Sequence, residues 1–185
     1  MGDQPSGTVT FLFTDIEGST QRWQVDDRAM SEALAAHDLV IRSAVEGQGG
    51  VVFKHTGDGM CAVFTSARAA VAAAVAAQAR LSLPVRMGVH TGEAEVRDGD
   101  YFGPTVNRTA RVMDAGHGGQ VLLSSATAGL VGDSDLVDLG EHHLKGLERR
   151  ERIFQIGQGE FPPLRTPREV AGNLPVELST FVGRS

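Results

Sequence analysis

The run Val9-Thr10-Phe11-Leu12-Phe13-Thr14 is apolar and rich in β-branched and aromatic residues, so it predicts a buried strand over Val9–Phe13. Residues 20–46 then space Met30, Leu34, Leu39, Ile41 and Val45 among charges, the pattern of one or two amphipathic helices. Gly47 and Gly49-Gly50 stop them. Val51-Val52-Phe53 and Met60-Cys61-Ala62-Val63-Phe64 flank a Gly57-Asp58-Gly59 turn, which predicts a hairpin over 51–65 with an aspartate at its tip. Ala70, Val71, Ala74, Val75 and Leu81 recur at helical spacing within 66–81. A strand follows Pro84 as Val85–Val89 and continues past Gly92 into Glu93–Val96, with a turn at Asp98-Gly99. Residues 103–115 read as a helix with Pro104 early, where a missing N–H costs nothing. Val121–Leu123, Leu136–Leu139 and Arg152–Ile156 predict strands, and Ala126–Val131 a short helix.

Hairpins among irregularly alternating strands and helices favour an α+β sandwich, with helices on one face of a mainly antiparallel sheet, over a doubly wound parallel fold. The character changes after Gly157. Residues 158–185 hold four prolines, Pro162, Pro163, Pro167 and Pro175, and few periodic apolar positions. This divides the chain into a folded domain over 1–157 and a proline-rich linker or tail over 158–185.

Composition narrows the function. A net charge of −6 argues against broad nucleic-acid binding, which needs a basic surface. The lone cysteine, Cys61, lies in an apolar strand; it reads as core and fits a reducing cytoplasm. Residues 1–8 lack the apolar segment of a secretory leader, and no run reaches the roughly 20 apolar residues of a membrane helix. The histidines lack metal-ligand spacing: His142-His143 is adjacent and reads as surface.

Two aspartates stand out. Asp15 closes the first strand and Asp58 tips the hairpin, so each is held by a turn. Side by side they would repel unless a cation lay between them, and hard divalent ions accept carboxylates while leaving positions for phosphates. Taken singly, Asp15 reads equally as a turn residue or a helix cap, and Asp58 as an ordinary hairpin-turn aspartate.

The segment Phe11–Thr20, with Asp15-Ile16-Glu17-Gly18-Ser19-Thr20, resembles the first metal motif of the class III nucleotidyl cyclases. Lys54-x-x-Gly57-Asp58 resembles the second metal motif with a base-reading lysine. Asp100-Tyr101-Phe102-Gly103-Pro104-Thr105-Val106-Asn107-x-x-x-Arg111 resembles the segment of the base-reading aspartate, the ribose-orienting asparagine and the transition-state arginine. His143-Leu144-Lys145-Gly146 is similar to the segment with the triphosphate lysine. The likeness spans residues 8–156, and its motifs occur in the family's order. It implies a ferredoxin-like α+β domain. It also implies that Asp15, Ile16 and Asp58 hold two Mg²⁺ or Mn²⁺ ions per site, Lys54 and Asp100 read the base, Lys145 holds the β- and γ-phosphates, and Asn107 and Arg111 serve the reaction.

That reaction is attack of the ribose 3′-hydroxyl on the α-phosphate, giving cyclic AMP and pyrophosphate from ATP. It needs positioning and charge neutralisation more than covalent chemistry. If Ile16–Ser19 open a helix, their N–H groups would add an anion site. Adenine favours this pair: Asp100 accepts from N6 and Lys54 donates towards N1, whereas guanine mismatches both. The family shares each site across a head-to-tail homodimer, so a monomer would be inactive. Only residues 93–99 separate Gly92 from Asp100, a short version of the family's dimerisation arm, which implies a small interface. Two rivals remain in view: a diguanylate cyclase or polymerase-palm relative, whose Gly-Gly-Asp/Glu-Glu-Phe signature is absent, and a silent nucleotide-binding regulatory module. Asn173–Arg184 resembles the lead-in to a P-loop ATPase domain, so a longer protein carrying one is a candidate context.

Overall fold

Strand β1 (Gly7–Ile16) lies in the interior of the sheet, as its apolar faces require. In the computed structural model, which describes residues 3–132 and 135–167, Leu12 and Ile16 face one cluster while Val9, Phe11 and Phe13 face another. A strand buried on both faces shows no alternation of apolar and polar positions, which is why its sequence reads as one unbroken run.

The elements follow in the order α1 (Ser19–Val25), α2 (Asp27–Gly47), β2 (Val51–His55), β3 (Gly59–Phe64), α3 (Ala67–Gln78), β4 (Val85–Arg97) and β5 (Asp100–Phe102). Helix α4 (Pro104–Asp114), β6 (Val121–Ser124), α5 (Ser125–Val131), β7 (Leu136–His142) and β8 (Glu151–Ile156) complete the chain. The strands pair as β2-β3-β1-β4-β6-β8-β7, with β5 folded back on the end of β4. Only β4 and β6 run parallel among the described pairs; the rest are antiparallel, as an α+β sandwich requires.

The helices occupy both faces, which corrects the expectation of a single helical layer. Met30, Ile41 and Val45 of α2 and Ala70, Ala73 and Ala74 of α3 pack under Leu12, Ile16 and Met87. Val106, Ala110 and Met113 of α4 cover Phe11, Phe13 and Tyr101 on the other side. There Phe11, Phe53 and Tyr101 meet edge to face, with ring centres 5.8 and 5.1 Å from Phe11. Phe11 is fully buried, and its burial contributes about 1.5–3 kcal/mol.

Local signals set the helix boundaries. Asp26 separates α1 from α2: its backbone is extended, and its side chain accepts the N–H of Ala29 at 2.9 Å. Ser66 caps α3 by accepting from Ala69 at 3.3 Å. Pro104 opens α4 behind Gly103, whose φ of 110° suits glycine. Cys61 is buried on β3, and burial pushes its thiol up to about 11, so it is a core residue rather than a nucleophile.

The expected linker begins at 158. Residues 158–167 run along the domain surface, with Leu164 against Val112, Ala115 and Leu122, and the Gly159 carbonyl accepts from Gln155 Nε2 at 2.8 Å. The segment Asn173–Arg184, expected to resemble a P-loop lead-in, lies outside the described residues. Among the described residues, no helix is long and apolar enough to cross a membrane.

Candidate active site

Asp15, the next-to-last residue of β1, lies opposite Gly59 of β3 on one side and Arg86 of β4 on the other. The approach to β3 is close: a Cβ on Gly59 would lie 2.2 Å from the Thr14 carbonyl oxygen. Glycine alone permits that contact, and it brings the tip carrying Asp58 beside Asp15. The two carboxylates feel each other. Asp15 is pushed above its ordinary carboxylate range, first by burial and further by the charge of Asp58, while Arg86 pulls in the opposite direction.

Each aspartate has a fixed orientation. Arg86 grips one oxygen of Asp15 through Nε at 3.0 Å and Nη2 at 2.7 Å. Ser19 donates its hydroxyl to Asp58 Oδ2 at 2.6 Å. Two carboxylates with one guanidinium between strands form an oxygen-rich, anionic pair that suits a hard divalent cation. Ile16, the third residue of the expected metal set, buries its side chain on the opposite face and can offer only its backbone to such an ion. Among the described residues no cluster of three or more His, Cys, Asp or Glu converges, so the remaining positions of a bound ion would fall to water, backbone or phosphate.

The expected anion site is smaller than its sequence suggested. Helix α1 starts only at Ser19, behind Gly18 in a left-handed conformation with φ 68°. The N–H of Glu17 already donates to the Pro84 carbonyl at 2.8 Å.

The two residues expected to read the base also meet. Lys54 Nζ lies 3.2 Å from Asp100 Oδ2, although 46 residues separate them. The second carboxyl oxygen of Asp100 accepts the N–H of Tyr101 at 2.8 Å, which fixes the side chain. Thus Lys54 and Asp58, on the same hairpin, face different partners.

Asn107 and Arg111 share one face of α4, and Asn107 is exposed. Arg111 lies 3.4 Å from Asp114, whose other oxygen is 3.8 Å from Arg86. A chain of charges therefore runs from Asp15 through Arg86 and Asp114 to Arg111. Lys145 stands apart: it is exposed in the turn between β7 and β8, and makes no ion pair among the described residues.

Arg86, Ser19 and Asp114 escaped the sequence reading. Arg86 had a signal, since an arginine inside the apolar run Val85–Val89 must find an acceptor when its strand is central. Ser19 and Asp114 had none beyond their place at helix ends.

A cleft of about 640 Å³ is lined by Glu17, Gly18, Arg22, Met30 and Leu83 among others, and one of about 970 Å³ by Glu93, Arg97 and Phe102 among others. Neither includes Asp15, Asp58, Asn107 or Arg111 in its lining. The paired carboxylates, the lysine–aspartate pair and the asparagine–arginine helix face define a nucleotidyl cyclase type of domain. Comparison with known proteins agrees: residues 1–158 match the adenylate and guanylate cyclase catalytic domain, and the chain belongs to that family. An uncharacterized protein of Mycobacterium tuberculosis is 45% identical over 97% of this chain and 68% of its own length. An adenylate cyclase of Trypanosoma brucei, solved in its monomeric state, superposes with a TM-score of 0.83 at 27% identity, covering 91% of this chain and 98% of that one. The guanylate cyclase domain of a Catenaria anguillulae protein, solved with GTP, has a TM-score of 0.73 at 18% identity over 84% of this chain and 98% of its own. That last likeness shows the fold alone, and the fold is common to enzymes of both bases.

Proposed function

We propose that this domain is an adenylate cyclase, converting ATP to cyclic AMP and pyrophosphate. The observation that carries the reading is the juxtaposition of Asp15 and Asp58, with Asp15 raised by burial and by its neighbour's charge. Such a pair gains most from a divalent cation. Mg²⁺ or Mn²⁺ bound there, two per site, would neutralise phosphate charge and make the ribose 3′-hydroxyl more acidic.

The chain's own residues do the rest. Ser19 orients Asp58, and Arg86 holds Asp15 in place. Asn107 orients the ribose, Arg111 neutralises charge building on the α-phosphate, and Lys145 takes the terminal phosphates. The planar guanidinium of Arg111 suits two phosphate oxygens at once.

The 3.2 Å Lys54–Asp100 contact supports ATP as substrate. It sets an acceptor and a donor side by side, matching adenine N6 and N1. The 27% identical Trypanosoma brucei adenylate cyclase supports the same base.

The reading includes a head-to-tail homodimer with two shared sites. Asp58 and Lys54 contact different partners within one chain, Ser19 and Asp100, and neither of the two clefts described above unites the metal pair with Asn107 and Arg111. The exposed Phe102 beside the short β4–β5 arm offers an apolar contact for a second copy. The reading assigns the domain to the cytoplasm, and its single buried free cysteine fits a reducing compartment. Neither nucleic acid nor membrane enters this reading, and an ATPase domain following the chain remains the candidate context.

Formation of cyclic AMP from ATP with Mn²⁺ or Mg²⁺ tests the reading. Asp15→Ala and Asp58→Ala should each abolish turnover while circular dichroism and melting stay those of a folded protein. Full activity in either variant refutes the metal pair, and nucleotide binding without turnover in the wild type would establish a silent module instead.

A further inference from the structure

Glu17 immediately follows the expected metal residues Asp15 and Ile16, and the reaction just described leaves it without a role. Its side chain is a junction. Oε2 accepts the N–H of Gly118 at 3.0 Å, and Oε1 faces His117 Nδ1 at 4.0 Å and receives the guanidinium of Arg165. Arg165 also donates its backbone N–H to the carbonyl of Ala115, at 2.8 Å, just past the last turn of α4. Helix C-termini leave carbonyls without intrahelical donors, and a cationic side chain there is favoured by the helix dipole.

Neighbouring contacts hold this grip in place. His117 Nε2 lies 2.9 Å from the Pro163 carbonyl, and Leu164 packs against Val112 and Ala115 of the α4 region. The segment 158–167 thus reaches from the end of β8 to two places at once. One is the loop that follows Asp15. The other is the C-terminal end of α4, which packs against the same sheet.

We propose that Arg165 is a positioning residue for the Asp15 metal site, bracing the Asp15–Glu17 segment against the C-terminal end of α4 in the same chain through Glu17 and Ala115. The proposal rests on the reading of Asp15 and Asp58 as the metal pair. The side chains of Arg165 and Glu17 are 46% and 30% exposed, so their ion pair adds little to global stability. Its effect should appear in the site rather than in the fold.

The test is Mn²⁺ binding by the full chain in the presence of 3′-deoxy-ATP, which cannot cyclise, followed by the electron paramagnetic resonance signal of free Mn²⁺. Arg165→Ala should weaken Mn²⁺ binding about fivefold, the upper range for a partly exposed pair, while the melting temperature moves by no more than about 2–4 °C. Glu17→Gln should do the same. The double variant should be no worse than either single one, because the two changes remove one interaction. Arg165→Lys should recover part of the affinity, since it keeps the charge but loses the fork. In steady state, Arg165→Ala should raise KM for the metal–nucleotide complex more than it lowers kcat.

Asp15→Asn separates the positioning role from the metal site itself. If it abolishes Mn²⁺ binding while Arg165→Ala leaves binding unchanged, the positioning role is overturned and the metal site stands. If Asp15→Asn leaves Mn²⁺ binding intact, the metal reading itself falls and the proposal with it. A multiplicative loss in the double variant, or a loss that Ile41→Val reproduces at an equal fall in melting temperature, also overturns the role of Arg165.

Discussion

Base choice offers the sharpest test of the site, because the structure separates its effect on recognition from its effect on folding. Take Lys54→Glu combined with Asp100→Ser. The side chains of Lys54 and Asp100 are 51% and 28% exposed, and a pair in such contact with water contributes about 0–1 kcal/mol to stability. Neither residue belongs to an apolar cluster, and the serine can still accept the N–H of Tyr101 that Asp100 holds at 2.8 Å. The double variant should therefore fold.

Recognition is another matter. On the proposed reading, adenine N6 meets an acceptor and N1 meets a donor in the wild type. After substitution N1 faces a carboxylate, and N6 loses its charged acceptor. Each unpaired or mismatched group enclosed by a bound base costs about 1–3 kcal/mol. Two of them amount to about 2–6 kcal/mol. Guanine recovers part of this, because its N1–H meets the introduced carboxylate and its O6 meets the serine hydroxyl. The ratio of kcat/KM for ATP to that for GTP should fall at least about thirtyfold, the equivalent of the low end of that range. Initial rates with each nucleotide and Mn²⁺, measured on both proteins at one concentration, give the ratio directly. An unchanged ratio in a folded, active double variant would show that the base is read elsewhere.

The proposed sharing of the sites predicts complementation: Asp58→Ala and Asn107→Ala, each inactive alone, should regain part of the activity when mixed, because a heterodimer would hold one intact site; no recovery despite demonstrated subunit exchange would place each site within one protomer. Asp114→Asn should lower kcat more than it raises KM by freeing Arg111 and Arg86 from their common acceptor, and unchanged kinetics would remove Asp114 from the charge chain. His90 predicts an acid instability: burial pushes its imidazole down to about 4, so below the ordinary 6.5 the unfolded chain gains a proton that the folded one refuses. Stability should then fall by about 1.4 kcal/mol per pH unit from 6.5 to about 4 on this account, and parallel urea-midpoint curves for wild type and His90→Asn would refute it.

The sheet was largely legible because its strands are apolar runs bounded by glycine, and the α4 helix because Pro104 and its spacing announce it. What the sequence hid follows from physical causes. Strand β5 is three residues long, Asp100–Phe102, too short to carry a period. The second helical layer was hidden because β1 is apolar on both faces, so its pattern does not say how many layers cover it. Among the expected site residues, Asp15 with Asp58 and Lys54 with Asp100 do meet, yet their fixed orientations come from Ser19, Arg86 and the Tyr101 N–H. Those partners are set by register between strands distant in sequence, as in the pairing of Asp15 with Arg86, and register follows from the assembled sheet.

Gly88 shows the same limit from the other direction. In the sequence it is a glycine inside a strand, which ordinarily weakens the strand or marks a bulge. In the fold a Cβ at Gly88 would lie 2.5 Å from the backbone nitrogen of Met113. Helix α4 therefore rests its backbone directly on β4, closer than any side chain would permit. That closeness places Asp114 where its backbone carbonyl accepts from Arg86 at 3.3 Å, and Arg86 is the residue that grips Asp15. Substituting even alanine at Gly88 would lift the helix carrying Asn107 and Arg111 away from the strand carrying Arg86. The missing side chain at Gly88 is thus as much a part of the site's geometry as the charged groups it brings together.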